Sequence, residues 1–181
     1  MNKIINGSIE SLEQMIDFIK GLSDEAYQTA PKPLFDSSIG QHLRHILDVY
    51  MAIIKSEKFE LVNYDIRRRG LALETVRIEG IAELNVIHQW LLNLDENALS
   101  LPTTVQTEVS VCSEQAAQMS SSIGRELCFA SSHLTHHLAI MAAVAKFLGH
   151  KVSDELGVAP TTATFLRSQQ QQNDLSISKA S

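Results

Sequence analysis

His133 and His137 stand four residues apart in Ser132-His133-Leu134-Thr135-His136-His137-Leu138. On a helix that spacing sets two imidazoles about 40° apart, one turn above the other. One ion at about 2.0–2.1 Å can reach both rings. A third imidazole from a facing helix would complete a tripod with positions open to water or substrate. A second cluster, Gln41-His42-Leu43-Arg44-His45, offers it from either His42 or His45. The same i, i+4 spacing also serves histidines that pack and hydrogen-bond in a core, so spacing alone decides neither metal against packing nor His42 against His45.

Other residues could join that chemistry. Asn63-Tyr64-Asp65-Ile66-Arg67-Arg68-Arg69-Gly70 is rich in groups able to line a site, and an arginine there could clamp a carboxylate-bearing substrate. The bland alternative is a solvated loop with surface ion pairs. Glu126 falls on the stripe of His133 two turns earlier and could orient a histidine by a hydrogen bond. Asp48, three residues after His45, could fix that ring's tautomer or equally stand exposed on the polar side of its helix. His136 points about 60° from His133, and Cys128 about 140° away, too far round for a ligand. Cys112 lies in a β-like stretch as an ordinary thiol, and Trp90 reads as core.

Four segments have the periodicity needed to position these groups. The first runs from about Ser8 to Lys20, with Gly21 placed as a left-handed cap. The second starts at Ser38, where Ser38-Ile39-Gly40-Gln41 has capping-box spacing, and continues to about Ser56. The third covers roughly Glu74 to Leu94, and the fourth Ser122 to Leu148, with Gly149 after it. On the fourth, Glu126, Phe129, Ala130, Ile140 and Val144 lie within about 60° of His133, so the histidine pair sits on an inward, apolar stripe. Thr103 to Val111 carries β-branched residues in partial alternation and predicts a short strand or hairpin. Residues 1–167 make one domain on this reading. Residues 168–181, with four consecutive glutamines, make a polar tail without packed structure.

The chain's 181 residues suit one domain. A net charge of −6, from 15 basic and 21 acidic residues, would repel a phosphate backbone, so nucleic acid is a poor partner. Nothing at the N-terminus reads as a signal peptide, and no contiguous apolar run approaches the roughly 20 residues of a membrane span. Two cysteines make no disulfide framework. The expectation is a cytoplasmic protein with free thiols.

Ser38-Ile39-Gly40-Gln41-His42-Leu43-Arg44-His45-Ile46-Leu47-Asp48 resembles the opening motif of the DinB/YfiT superfamily. There a helix begins near its cap and offers a histidine followed by two apolar residues. His133-Leu134-Thr135-His136-His137 is similar to that superfamily's second motif, His-x-x-x-His on the last bundle helix. Asn63 to Arg68 with Glu74, and Arg125-Glu126-Leu127 leading to Gly157-Val158-Ala159-Pro160, look like a less studied subgroup. The likeness covers about Ile9 to Leu166. It implies an all-α, up-down-down-up four-helix bundle, here with a short hairpin before the last helix. It also implies a divalent ion, zinc or nickel, on His45, His133 and His137. The match of His45-Ile46-Leu47 favours His45, although the apolar stripe of that helix is centred nearer His42. Leu138-Ala139 departs from the Arg-Gly that often follows the last ligand.

Characterised relatives include transferases and isomerases that use a low-molecular-weight thiol, and homodimers are common among them. The expectation is therefore a metal-dependent transferase or hydrolase acting on a small molecule. Its ion would lower the pKa of a bound water or thiol, and Tyr64, Arg67 and Glu126 would position substrate or move protons. The rival is a non-catalytic metal- or ligand-binding bundle, or a dimerisation module.

Overall fold

The computed structural model describes residues 2–180, without the side chains of Glu57 and residues 173–180. The Asn2 side chain accepts from the Ile4 N–H at 2.9 Å and opens α1, Lys3–Lys20. Ile5, Ile9, Leu12, Met15, Ile16 and Ile19 recur every three or four residues and are buried together. Gly21, expected in a left-handed cap, closes the helix in the right-handed region (φ −75°, ψ −9°). Its N–H bonds back to the carbonyls of Asp17 and Phe18, and the chain runs on into a short α2, Asp24–Gln28, capped by Ser23.

α3, Ile39–Ile54, begins with the expected capping box: Ser38 accepts from the Gln41 N–H while the Gln41 side chain accepts from the Ser38 N–H. The third long helix starts later than its periodicity predicts. Ala72–Glu74 forms a separate 3₁₀ turn, and α4 spans Arg77–Leu92. The turn is held apart by tertiary contacts, since the Leu73 carbonyl accepts from the Tyr27 hydroxyl and the Glu74 carboxylate from Arg44. α5, Ile123–Phe147, opens on the Ser122 side chain. Gly149 follows it with φ +87°, the left-handed geometry that glycine accepts at least cost.

Three strands form one small sheet in the order β1-β2-β3. β2 (Pro102–Glu108) and β3 (Ala116–Ser122) make the expected antiparallel hairpin, register Pro102 to Ser122. β1, Leu61–Asn63, pairs in parallel with β2, Leu61 facing Thr104. Three residues are too few to show alternation, so this strand left no mark in the periodicity. Cys112, expected within a strand, falls in the exposed connection between β2 and β3.

The architecture is mostly helical. α1 packs on α4 and α5, and α3 packs on α5 and α4, around a core that includes Leu12, Leu43, Leu47, Leu84, Leu134 and Met141. α5 has 25 residues and is long and apolar enough by composition to cross a bilayer, a property its interrupted apolar runs concealed. Its buried side chains face α1 and α3, and Glu126 lies among them.

The segment from Ser168, expected to be an unstructured tail, is helical: α6 covers Pro160–Ala180. Glutamine is a good helix former. Ser168 to Gln172 are exposed, and Ser181 lies outside the described residues.

Gly40 allows the closest approach in the fold. A Cβ there would stand 2.1 Å from the Glu74 carbonyl oxygen and 2.8 Å from the Tyr27 ring. Replacing glycine by alanine inside a helix ordinarily stabilises it. Gly40→Ala is expected to reverse that sign and destabilise by about 1–3 kcal/mol, the usual range for overpacking, as read by denaturant unfolding.

Candidate metal centre

α3 and α5 pack against each other, and their histidines meet at that contact. One nitrogen from each of His45, His133 and His137 lies within 4.8 Å of the others, a grouping that could hold a metal ion. The Nε2 atoms of His45 and His133 are 2.9 Å apart. The His137 ring centroid is 4.9 Å from that of His45 and 4.6 Å from that of His133. His42 stands outside the group of three, with its Nδ1 3.2 Å from Nδ1 of His137. His136 packs edge-on against His137 on an exposed face. Cys128 is exposed.

The donor chemistry fits an ion. All four imidazoles are half-buried, and desolvation pushes each below its ordinary pKa: His45 to about 4 and His137 to about 3, with His42 and His133 also lowered. Arg67, the His133 ring and Arg44 add to the depression at His45. The rings are therefore neutral near pH 7, which is the form that offers a lone pair.

The contacts also fix tautomers. Arg67 Nη1 lies 3.3 Å from His45 Nδ1. A guanidinium can only donate, so His45 accepts at Nδ1 and carries its proton on Nε2. Its partner, His133 Nε2, then accepts.

A network of charges surrounds the rings. Asp48, for which the sequence left both His45 and solvent open, is buried and accepts from Arg44 (3.0 Å) and Arg68 (2.6 Å). Arg44 continues to Glu74 at 2.9 Å and Arg68 to Glu83 at 2.6 Å. The i, i+4 spacing of Arg44 and Asp48 on α3 was the available sequence signal for this pairing. Glu74 and Glu83 had no such cue, because their partners come from other segments.

Tyr64 and Glu126 are brought together. The Tyr64 N–H bonds to the Gln106 carbonyl, so pairing of β1 with β2 carries the loop to the base of α5. There the Tyr64 hydroxyl donates to Glu126 at 2.7 Å, and Ser121 donates to the other carboxylate oxygen at 2.5 Å. Burial and the Glu126 charge push the Tyr64 hydroxyl well above its usual pKa. Phe129 stands between this pair and the histidines, its ring 5.4 Å from Tyr64 and stacked at 5.6 Å on His133. Its place one turn before His133 is the cue that could have revealed it.

An open cavity of about 440 Å3 reaches the cluster, lined in part by His42, Arg44, His45, Arg69, Glu74 and His137. Leu138 is buried in the core, and the backbone of Ala139 lies where a Cβ on Gly157 would fall.

The depressed histidines give stability a definite pH dependence. Below pH 6.5 the unfolded chain takes up protons that the folded cluster refuses, so stability is full above that value and falls as pH drops toward 4. Thermal unfolding should show the midpoint falling between about pH 7 and about pH 4, with a shallower fall in a His45→Gln/His137→Gln variant.

Among curated proteins, the FK506-binding protein 5 of Rhizopus delemar is 28% identical to the chain over 109 residues. The match takes in 60% of this chain and spans only 28% of the length of that relative. No solved structure matches the chain significantly. The DinB family profile matches residues 8–174, taking in both histidine clusters, the arginine-rich loop and the hairpin. The chain belongs to the DinB family.

Proposed function

We propose that the protein binds one divalent metal ion, zinc or nickel, through His45, His133 and His137, and uses it as an enzyme acting on a small molecule. The observation that carries this reading is the convergence of three neutral imidazoles from α3 and α5 within 4.8 Å beside an open cavity. The ring of packing contacts linking α1, α4, α3 and α5 supports reading the frame as an up-down-down-up four-helix bundle. A divalent ion held by three imidazoles supplies Lewis acidity at its open positions.

The protein's own groups divide into two sets. Arg67 touches a ligand histidine and serves to position substrate beside it. Tyr64 and Glu126 bond to each other behind Phe129 and act as positioning residues, setting the ring that stacks on His133. His42 serves as the hydrogen-bond acceptor of His137 Nδ1–H, which leaves His137 Nε2 free to ligate. Transfer to or from a low-molecular-weight thiol is the reaction class that the family membership favours. Both cysteines are free and exposed, which suits a reducing, cytoplasmic setting.

Metal content of untagged protein purified without chelator tests the reading. Near-equimolar zinc or nickel in the wild type, lost in a His133→Ala/His137→Ala variant, is the expected result. Protein that stays metal-free after incubation with either ion would overturn it. His42→Ala should keep the stoichiometry but weaken affinity by about 10–100-fold in competition with a chelator, the usual effect of removing an orienting partner.

A further inference from the structure

Of the four arginines near the histidines, two are held in ion pairs with carboxylates and two are not. Arg44 is bound to Asp48 and Glu74, and Arg68 to Asp48 and Glu83. Among the described residues no carboxylate pairs with Arg67 or Arg69. Arg69 lines the cavity and is exposed. Arg67 is half-buried, and its side chain contacts one imidazole nitrogen, Nδ1 of His45, at 3.3 Å. A guanidinium has five N–H donors in a planar fork suited to an oxyanion, so this single long contact leaves most of its capacity unused. In a chain of net charge −6, two arginines without an ion-pair partner, Arg69 lining the cavity and Arg67 against a ring that lines it, mark a place for a negative ligand, with Asp48 and Asp65 acting on Arg67 only from a distance.

The contact between Arg67 and His45 holds only in one state of the ring. While His45 accepts from Arg67 at Nδ1, its proton occupies Nε2, the atom 2.9 Å from His133. For Nε2 to ligate an ion, that proton must move through solvent to Nδ1 of the same ring. No proton is gained or lost. Nδ1–H then faces Arg67 Nη1–H, donor against donor, and the guanidinium must turn away. It already touches a ring that lines the cavity, and Arg69 stands at the same cavity.

We propose, on the basis of the metal-site reading above, that loading the histidines releases Arg67 to form with Arg69 an oxyanion site for a carboxylate- or phosphate-bearing ligand. Metal and anion binding are thereby positively coupled. By linkage each ligand must raise the affinity of the other by the same factor.

The test is calorimetric titration of full-length protein with acetate and, separately, with methyl phosphate, in chloride-free buffer with and without one equivalent of zinc. Zinc-loaded wild type should bind at least one of these anions about tenfold more tightly than the metal-free protein, and Arg67→Gln should remove most of that gain. Which anion binds better distinguishes a carboxylate from a phosphate ligand. The same Arg67→Gln protein should bind zinc at least as tightly as wild type when no anion is present, because the competing donor at His45 Nδ1 is gone. A misfolded variant would lose zinc affinity instead, and Arg67→Lys, which keeps the charge without the fork, then serves as the second variant. Equal anion affinity in zinc-loaded wild type, Arg67→Gln and Arg67→Lys would overturn the proposal while leaving the metal site standing. Absence of zinc binding in wild type would overturn both.

Discussion

Keeping a cluster of imidazoles out of water is the constraint on which the rest of the site depends. Half-buried rings that crowd one another cannot all carry charge, and the folded state meets this by holding them neutral. A neutral imidazole has one donor and one acceptor, so each neighbour that touches a ring nitrogen settles where the proton sits. Arg67, His45 and His133 form such a sequence of contacts, and His42 with His137 forms a second. The cluster is thus a set of neutral rings, as a metal site needs, in which the His45 proton on Nε2 has to move before that ring can ligate.

Neutral rings also require that no unpaired carboxylate stand beside them, since its charge would draw a proton onto an imidazole. Asp48 is the acid on the histidine helix, buried one turn from His45. Arg44 and Arg68 consume it, and Glu74 and Glu83 balance the outer faces of those arginines. The close packing at Gly40 belongs to the same device, because it sets the 3₁₀ turn carrying Glu74 against the first turn of α3. On the other side the small sheet delivers Tyr64 to Glu126 and leaves Arg67 three residues farther along, within reach of His45. Helices and sheet therefore work on one loop from two ends.

The long helices and the histidine pair of α5 were legible because both rest on local spacing. Buried apolar residues recur with the helical period, and His133 and His137 share a face wherever the segment is helical. The capping box at Ser38 was equally local. What escaped depends on contacts between distant segments. β1 is too short to show alternation and exists by pairing with β2. The displaced start of α4 follows from Tyr27 and Arg44, which lie far upstream. Nearness in sequence offers Asp48 only His45 or solvent, whereas Arg68, 20 residues away, reaches it in space. Periodicity placed His42 nearer the apolar centre of its helix, while the grouping in space takes His45, because the stripe of one helix does not encode where its neighbour meets it.

A crystal structure of protein grown with one equivalent of zinc, with anomalous data collected at the zinc edge, tests the central claim most directly. One strong anomalous peak is expected, at about 2.0–2.1 Å from single nitrogens of His45, His133 and His137. His42 would be hydrogen-bonded to His137 and outside the coordination shell. A peak coordinated by His42 in place of His45, or no peak at the α3–α5 contact, would contradict it.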